Sequence, residues 1–201
     1  MKLVLNLACI LLLFTVNGQL PYADSIKKLR QEKQQSLLGT DDLLDSLERS
    51  KILSLDYYPV NERWIKHVQF VKDKGKPFEM PTSTDRLPRY RRVGYVDFQH
   101  EGETRRLTLY KNLDLVDTEY KYYYFLPFKD LSAPHETYGA GRYIELYHNI
   151  KKEKTFTVDF NTAFNPYCAY SYRYSCPITP EENHVDFRIE AGEKVPVMKT
   201  N

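Results

Sequence analysis

The sequence carries almost no excess charge of either sign. Its 29 lysine and arginine residues balance 27 aspartate and glutamate residues, and the formal net charge is +2. Domains that bind nucleic acid or an anionic membrane over a broad surface carry a strong positive excess. The composition therefore predicts no nucleic-acid partner and no such membrane partner.

Metal-binding and phosphate-binding motifs are also lacking. Cys168, Cys176 and His184 occur at equal intervals, but this spacing is not typical of a zinc site, and a fourth ligand is missing. Gly139 and Gly141 lack the third glycine or the Lys-Ser/Thr pair of a phosphate loop, so they predict a tight turn. We therefore predict no metal ion and no other cofactor.

Long apolar runs are lacking after the first residues. Lys2 precedes an almost unbroken apolar stretch from Leu3 to Phe14, which is typical of a secretory signal peptide and too short to span a membrane. Cleavage is expected after Gly18, so that residues 1–18 and Cys9 are removed. A lipoprotein cleavage before Cys9 is a poorer alternative, because it leaves only a few apolar residues. We expect an exported chain, periplasmic or extracellular, with no transmembrane segment after cleavage.

Residues 19–50 are predicted to be helical. Apolar residues recur at helical spacing from Tyr22 to Leu38 among charged and amide side chains, and Gly39 follows as a stop. Thr40 is predicted to cap a second helix. The buried face of that helix is predicted to hold Leu43, Leu44 and Leu47.

Residues 51–201 are predicted to form one β-rich domain. Apolar residues alternate with polar ones in several short segments, and no helix-length segment separates them. This pattern favours a β-rich α+β fold, with a mainly antiparallel sandwich or barrel-like sheet preceded by the two helices. The predicted strands are Trp64–Val71, Val93–Phe98, Thr104–Tyr110, Tyr120–Phe125, Arg142–Tyr147, Thr155–Asn161 and Val185–Ile189.

Two local patterns bear on these strands. The basic run at Arg89, Arg91 and Arg92 is interpreted as a solvated strand and not as a nucleic-acid patch, because the chain is nearly neutral. The segment 99–103 has the length of a hairpin loop, with Gly102 where a positive φ is needed.

Polar residues near the strand ends are the candidates for a site. Arg142 can clamp a carboxylate or phosphate, or it can neutralise an internal aspartate such as Asp130 or Asp159. Asp159 and Asn161 are expected to share one strand face. The chain also holds 17 tyrosines against one tryptophan, which suits sheets and binding surfaces alike. The candidate ligand-binding residues are Tyr138, Arg142, Asp159, Asn161, Asn165 and Tyr167.

The segment from Cys168 to Cys176 allows two exclusive structures. A straight strand would separate the two cysteines by roughly 26 Å, whereas a disulfide needs Cα atoms within about 7 Å. Export into an oxidising compartment favours the disulfide, and free or redox-active thiols remain the main alternative.

Short motifs in the chain form an ordered series: Phe125–Asp130, Glu136–Tyr143, Asp159–Asn161, Asn165–Tyr170, Cys176–Pro177, Glu182–Asn183 and Ala191–Glu193. Their order and spacing resemble the family called domain of unknown function 1684. Phe78–Thr82 and Asp85–Arg86 resemble its short exported members, typical of Bacteroidetes. His135 and His184 depart from the pattern, which weakens a metal site or a Cys-His site. The resemblance implies no activity, but it groups Arg142, Asp159, Asn161, Asn165, Cys168, Cys176 and Asn183.

Three functions are compatible with the sequence. The preferred hypothesis is a noncatalytic module that binds a small polar ligand, a glycan or an envelope partner through tyrosines and Arg142. The alternative is a hydrolase-like enzyme whose acid and base come from Asp159, Glu136 and Glu145, with Arg142 as an anion clamp. The third is a purely structural protein. A solvent-open tyrosine surface beside Arg142 would favour the binding module, whereas complete burial of Arg142 against Asp130 or Asp159 would remove the clamp from both the binding module and the enzyme.

Overall fold

The structure, a computed structural model, describes residues 21–39 and 42–199. The predicted signal peptide, Cys9 and the predicted cap Thr40 lie outside these residues. Helix α1 spans Tyr22–Leu38 as predicted. No helix among the described residues is long and apolar enough to cross a membrane.

Helix α2 spans Ser46–Lys51 and is shorter than the sequence pattern predicts. Asp45 caps it, because the Asp45 carboxylate accepts a hydrogen bond from the Glu48 N–H and the Glu48 carboxylate accepts one from the Asp45 N–H. Leu44 is buried before this cap, whereas Leu47 is 64% exposed. The predicted position of Leu47 on the buried face is therefore wrong, since the helix begins later and turns that residue to solvent.

The remaining chain forms an antiparallel seven-stranded sheet and a separate two-stranded pair. The order in the main sheet is β7-β6-β5-β4-β2-β8, with β3 also paired to β4, while β1 pairs with β9. The strands are β1 (Ile52–Ser54), β2 (Ile65–Lys72), β3 (Pro77–Glu79), β4 (Arg89–His100), β5 (Glu103–Asn112), β6 (Tyr123–Phe128), β7 (Arg142–Tyr147), β8 (Thr155–Asp159) and β9 (Val197–Met198).

The main sheet curls into a half-barrel around one core. Side chains from both outermost strands, Ile144 on β7 and Val158 on β8, belong to the same buried cluster as Leu107 and Leu109 on β5. A flat sheet of this width could not bring its two edges to one cluster. The fold is thus β-rich and antiparallel with two helices, as predicted, and its main sheet is a curled half-barrel.

Three of the sequence-based strand assignments need correction, one of them Thr155–Asn161, because β8 ends at Asp159. The predicted strand Val185–Ile189 is absent from the described residues, because this segment bonds irregularly: the Val185 N–H donates to Lys129 O, and the Ile189 N–H donates to an Asp130 carboxylate oxygen. The segment predicted as Tyr120–Phe125 begins with a 3₁₀ turn, and the strand there starts at Tyr123.

Both predicted glycine turns are confirmed, but the loop predicted over 99–103 is shorter, because β4 extends to His100 and β5 begins at Glu103. Gly102 has φ of 82° and joins β4 to β5 together with Glu101, at φ 51°. Gly141 has φ of 98°, and a Cβ there would lie 2.6 Å from the carbonyl oxygen of Phe128. A glycine is required at Gly141 both for this backbone conformation and for the close approach.

A bulge in β4 changes which side chains face the core. The register shifts between Arg92 and Gly94, and a Cβ at Gly94 would lie 2.3 Å from the carbonyl oxygen of Val71. Before the bulge, Arg91 pairs directly with Lys111 of β5, which has the same parity as the core residue Leu109. Arg91 and Lys111 therefore lie on the core side of the sheet, at one end of it.

His100 is buried between two aromatic rings at the end of β4. Its ring stacks on Trp64 at 5.2 Å and on Phe187 at 4.2 Å between ring centroids, and its exposed fraction is 6%. Burial, and then the positive charge of Lys66, lower the pKa of His100 below 6.5. The other charges acting on the ring are those of Glu101, Arg105 and Arg63.

This lowered pKa predicts a loss of stability in mild acid. The unfolded chain binds a proton at His100 more readily than the folded chain, so the contribution is complete above pH 6.5 and falls as the pH drops below it. In His100→Phe, the free energy of unfolding should fall less between about pH 7 and about pH 5 than in the wild type. Chemical denaturation at several pH values measures this. His67→Phe, at an exposed histidine, is the control, and an equal change in both variants would contradict the assignment.

Candidate functional site

Arg142, on β7, is fully enclosed by protein groups. Its exposed fraction is 1%, and Nη2 donates to Asp130 Oδ1 at 3.0 Å and to the Ile189 carbonyl at 2.9 Å. Nη1 donates to the carbonyls of Ala191 and Glu193. Burial lowers the pKa of the guanidinium, which the Asp130 carboxylate opposes. Arg142 thus forms the internal ion pair and presents no surface to a ligand from solvent.

Asp159 and Asn161 stabilise a turn and a neighbouring chain segment. The expectation that they share a strand face is wrong, because β8 ends at Asp159 and a 3₁₀ turn, Phe160–Thr162, follows. Asn161 pairs with the backbone of Asn61 in both directions, as acceptor at 3.0 Å and donor at 2.9 Å. Asp159 accepts from the Asn161 N–H and from the Tyr22 hydroxyl of α1 at 2.7 Å.

Asn165 hydrogen-bonds to Glu193 and Lys194, directly beside the carbonyls that accept from Arg142. Its N–H donates to Glu193 Oε2 at 2.9 Å, and its Nδ2 donates to the Lys194 carbonyl at 2.8 Å. The Glu193 carboxylate is fully buried and also accepts from Tyr170 and from Lys33 of α1, the latter at 2.6 Å. Sequence reasoning missed Glu193 as the centre of this network, since only its place in a short motif distinguished it.

Tyr138 and Tyr167 lie apart from that network. The Tyr138 hydroxyl is 3.6 Å from Cys168 Sγ, and the Tyr167 ring is 40% exposed and packs on Tyr174 at 5.0 Å between centroids. The straight-strand alternative for residues 168–176 is wrong, because Tyr167–Ala169 is a 3₁₀ turn and the Cys168 N–H reaches Cys176 Sγ at 3.2 Å. Both described cysteines are free thiols here, and their disulfide remains a prediction.

The carboxylates of the enzyme alternative do not form a pair. Asp159 is bound by Tyr22, Glu136 by Tyr58 at 2.8 Å and Arg188 at 2.5 Å, and Glu145 by Tyr123 at 3.1 Å. Hydrogen bonds from Arg188 and then Tyr58 lower the pKa of Glu136, which is unfavourable for a general acid. The geometry therefore gives this alternative no support.

The most unusual open site is a cleft at one end of the half-barrel, here called the basic cleft. Its cavity volume is about 470 Å³, within the roughly 300–1,000 Å³ of small-molecule sites. Every charged side chain in its wall is positive, and its floor is the end of the main apolar core. The cationic residues are Lys72, Lys74, Arg91, Lys111, Lys121, Lys151 and Lys154, and the apolar ones are Phe70, Val93, Leu113, Tyr124 and Ile150.

Carboxylates neutralise the neighbouring arginines but not the cleft. Arg89 pairs with Asp114 at 3.1 Å and Arg92 with Asp73 at 3.1 Å, both on β4 beside Arg91. Within residues 21–39 and 42–199, none of the cations that line the basic cleft forms an ion pair with a carboxylate. No carboxylate among the described residues thus compensates the positive charge of the cleft, although Lys111 and Lys154 donate to backbone carbonyls and the whole chain is nearly neutral.

The centre of the basic cleft holds unfavourable polar contacts. Arg91 and Lys111 are directly opposite each other on paired strands, where like charges destabilise a sheet. Arg91 Nε is buried without a hydrogen-bond partner among the described residues. Burial, and then the charge of Lys151, lower the pKa of Lys111. An anion bound here would supply the missing acceptor and relieve the repulsion.

Other ligand sites are weaker. A shallow hollow of about 320 Å³ beside α1 includes Tyr167 and Phe164, but its inner cation, Lys33, is already bound to Glu193. No group of three His, Cys, Asp or Glu side chains in the described part of the chain could hold a metal ion.

Comparisons with known proteins identify the domain without a function. The family model described as protein of unknown function (DUF1684) matches residues 51–194. A solution NMR structure of an uncharacterized protein from Haloarcula marismortui is similar, with a TM-score of 0.64 and 28% sequence identity. The alignment covers 85% of this chain and 92% of that one. A search of curated proteins gave no match.

Proposed function

Because the chain belongs to the family described as protein of unknown function (DUF1684), a description that states no activity, we propose its function from the basic cleft. The protein is a noncatalytic binding module for a small anionic ligand with an apolar body. The uncompensated charge around the apolar floor of the cleft carries this proposal.

The cleft favours a ligand that has both an anionic group and an apolar body. Its cations and the orphan Arg91 Nε suit a carboxylate or phosphate group, which accepts charge-assisted hydrogen bonds. Phe70, Tyr124 and Ile150 are largely buried in the core and form an apolar floor on which a hydrocarbon or ring could lie. A fully polar ion would leave this floor uncovered, and a neutral hydrocarbon would leave the cations unpaired.

The site of action is part of the proposal. The apolar stretch Leu3–Phe14 favours export, so we place the binding function in the periplasm or outside the cell. Acidic lipid products are the envelope compounds whose chemistry matches the cleft. Long nucleic acids match it less well, because the charge is confined to one cavity and the net charge is +2.

Titrations with simple amphiphiles test the proposal. Laurate and dodecyl phosphate should bind. Acetate and inorganic phosphate should bind more weakly because they lack the apolar body, and dodecanol should bind more weakly because it lacks the charge. Arg91→Gln should weaken dodecyl phosphate binding by about 10-fold to 100-fold, since a hydrogen bond to a charged group contributes about 1.5–3 kcal/mol. Higher salt should weaken binding further. Isothermal titration calorimetry below the critical micelle concentration measures both effects.

Arg89→Gln is the matched control. It removes the same charge from the same strand, but at an exposed arginine already paired with Asp114. An equal loss of affinity in both variants would show that only general charge matters. Absence of binding to laurate and to dodecyl phosphate by the folded protein would refute the proposed ligand class.

A further inference from the structure

Cys168 and Cys176 form a close pair of thiols on a different part of the molecule from the basic cleft. The chain reverses after the 3₁₀ turn Tyr167–Ala169, and the Cys168 N–H donates to Cys176 Sγ at 3.2 Å. Two cysteines eight positions apart are thus in contact, and a disulfide between them would close only the short intervening loop.

The two thiols have unequal access to solvent. Cys176 is 8% exposed, whereas Cys168 is half-buried. Cys176 is also fixed by the backbone, since its N–H donates to Ser83 Oγ at 3.1 Å and its carbonyl accepts from the Ser83 N–H at 2.9 Å. Cys168 is therefore more accessible to an external reagent than Cys176.

The surroundings of Cys168 favour its thiolate. The pKa of Cys168 is lowered to about 6, first by the hydrogen bond from the Cys176 thiol and then by Tyr138 and Ser83, against the opposing effect of burial. The same thiol hydrogen bond, together with burial, raises the pKa of Cys176. Because the thiolate is the nucleophile in thiol–disulfide exchange, the pair has one attacking and one resolving member.

We propose that Cys168 and Cys176 are a reversible dithiol–disulfide couple that exchanges with low-molecular-weight disulfides. The Cys168 thiolate attacks one sulfur of an external disulfide R–S–S–R, so that a mixed disulfide forms and one R–S⁻ leaves. Cys176 then loses its proton to solvent and attacks Cys168 Sγ, which expels the second R–S⁻. The pair gives up two electrons, and one external disulfide is reduced to two thiols.

Oxidised glutathione is the probe, applied to the full chain carrying Cys9→Ser so that only the pair reacts. Mass spectrometry after alkylation should show an internal Cys168–Cys176 disulfide that reduced glutathione reopens. Adding Cys176→Ser should stop the reaction at a mixed disulfide on Cys168. Adding Cys168→Ser should slow glutathionylation of the remaining thiol by about tenfold or more, because that thiol is buried and largely protonated.

Circular dichroism first establishes that each variant is folded. Equal reaction rates at the two cysteines would overturn the division of roles. A bridge that reduced glutathione does not reopen would overturn the exchange function, and failure of the folded protein to form any bridge would overturn the pair itself.

Discussion

Replacing Arg142 with methionine is expected to lower the free energy of unfolding by about 3 to 5 kcal/mol, because removal of one partner leaves a buried charge uncompensated. Asp130 would keep its carboxylate in the interior, and the carbonyls of Ala191 and Ile189 would lose a donor. For a chain of this size the loss corresponds to a fall in melting temperature of roughly 6 to 20 °C. Thermal and urea denaturation measure it.

Two further variants make this result specific. Arg188→Met breaks an exposed pair with Glu136, and surface pairs of this kind contribute little to stability, because solvent screens them. The double variant Arg142→Met with Asp130→Leu should recover part of the lost stability, since neither charge of the buried pair remains. If Arg142→Met were as stable as Arg188→Met, the buried ion pair of Arg142 with Asp130 would not stabilise the fold as expected.

Replacing Asn183 with alanine is expected to cost about 3 kcal/mol or more, since each buried backbone group left without a partner costs about 1 to 3 kcal/mol. The fully buried Asn183 side chain accepts from the Thr108 N–H at 2.7 Å, and donates to the carbonyls of Thr108 at 2.9 Å and Pro127 at 2.6 Å. It joins β5 and β6, which share a single paired position, Tyr110 with Phe125.

Hydrogen exchange gives this prediction a local readout. The Thr108 amide should lose protection more than amides in the β4–β5 hairpin, because its acceptor is the Asn183 side chain itself. Asn112→Ala is the control, since Asn112 is half-buried near the end of β5 and its side chain bonds locally to Tyr90 and Asp114. Equal destabilisation by the two substitutions would contradict a special role for Asn183.

The fold was predictable wherever alternation reflects a neighbouring strand. Arg142–Tyr147 is a strand at its predicted bounds, and the β4–β5 hairpin turns at Gly102 as its sequence indicates. Residues Val185–Ile189 also alternate between apolar and polar side chains. Here the apolar side chains pack on the core, but the backbone amides bond to scattered groups and not to a neighbouring strand. Alternation reports a half-buried surface, and a sequence does not show whether another strand lies beside it.

The candidate site was less predictable, because it depends on contacts between distant segments. Asp130 could be named from the sequence as a partner for Arg142, but the burial of both depends on residues 189–193 folding over them. The basic cleft draws its cations from positions between Lys72 and Lys154. A net charge of +2 conceals this concentration, and the sequence does not reveal the bulge before Gly94, which leaves Arg91 on the core side of the sheet.

The hydrogen bonds that Arg142 and Asn165 form with the segment from Ile189 to Glu193 also have a kinetic consequence. Arg142 and Asn165 can form these hydrogen bonds only after this segment has packed against them. Lys33 of α1 likewise pairs with Glu193, which is 160 positions away in the sequence. Contacts of such high sequence separation slow folding, because the intervening chain must be ordered before they form. The protein therefore remains incompletely folded until the segment from Ile189 to Glu193 has been synthesised and has packed on Arg142 and Asn165.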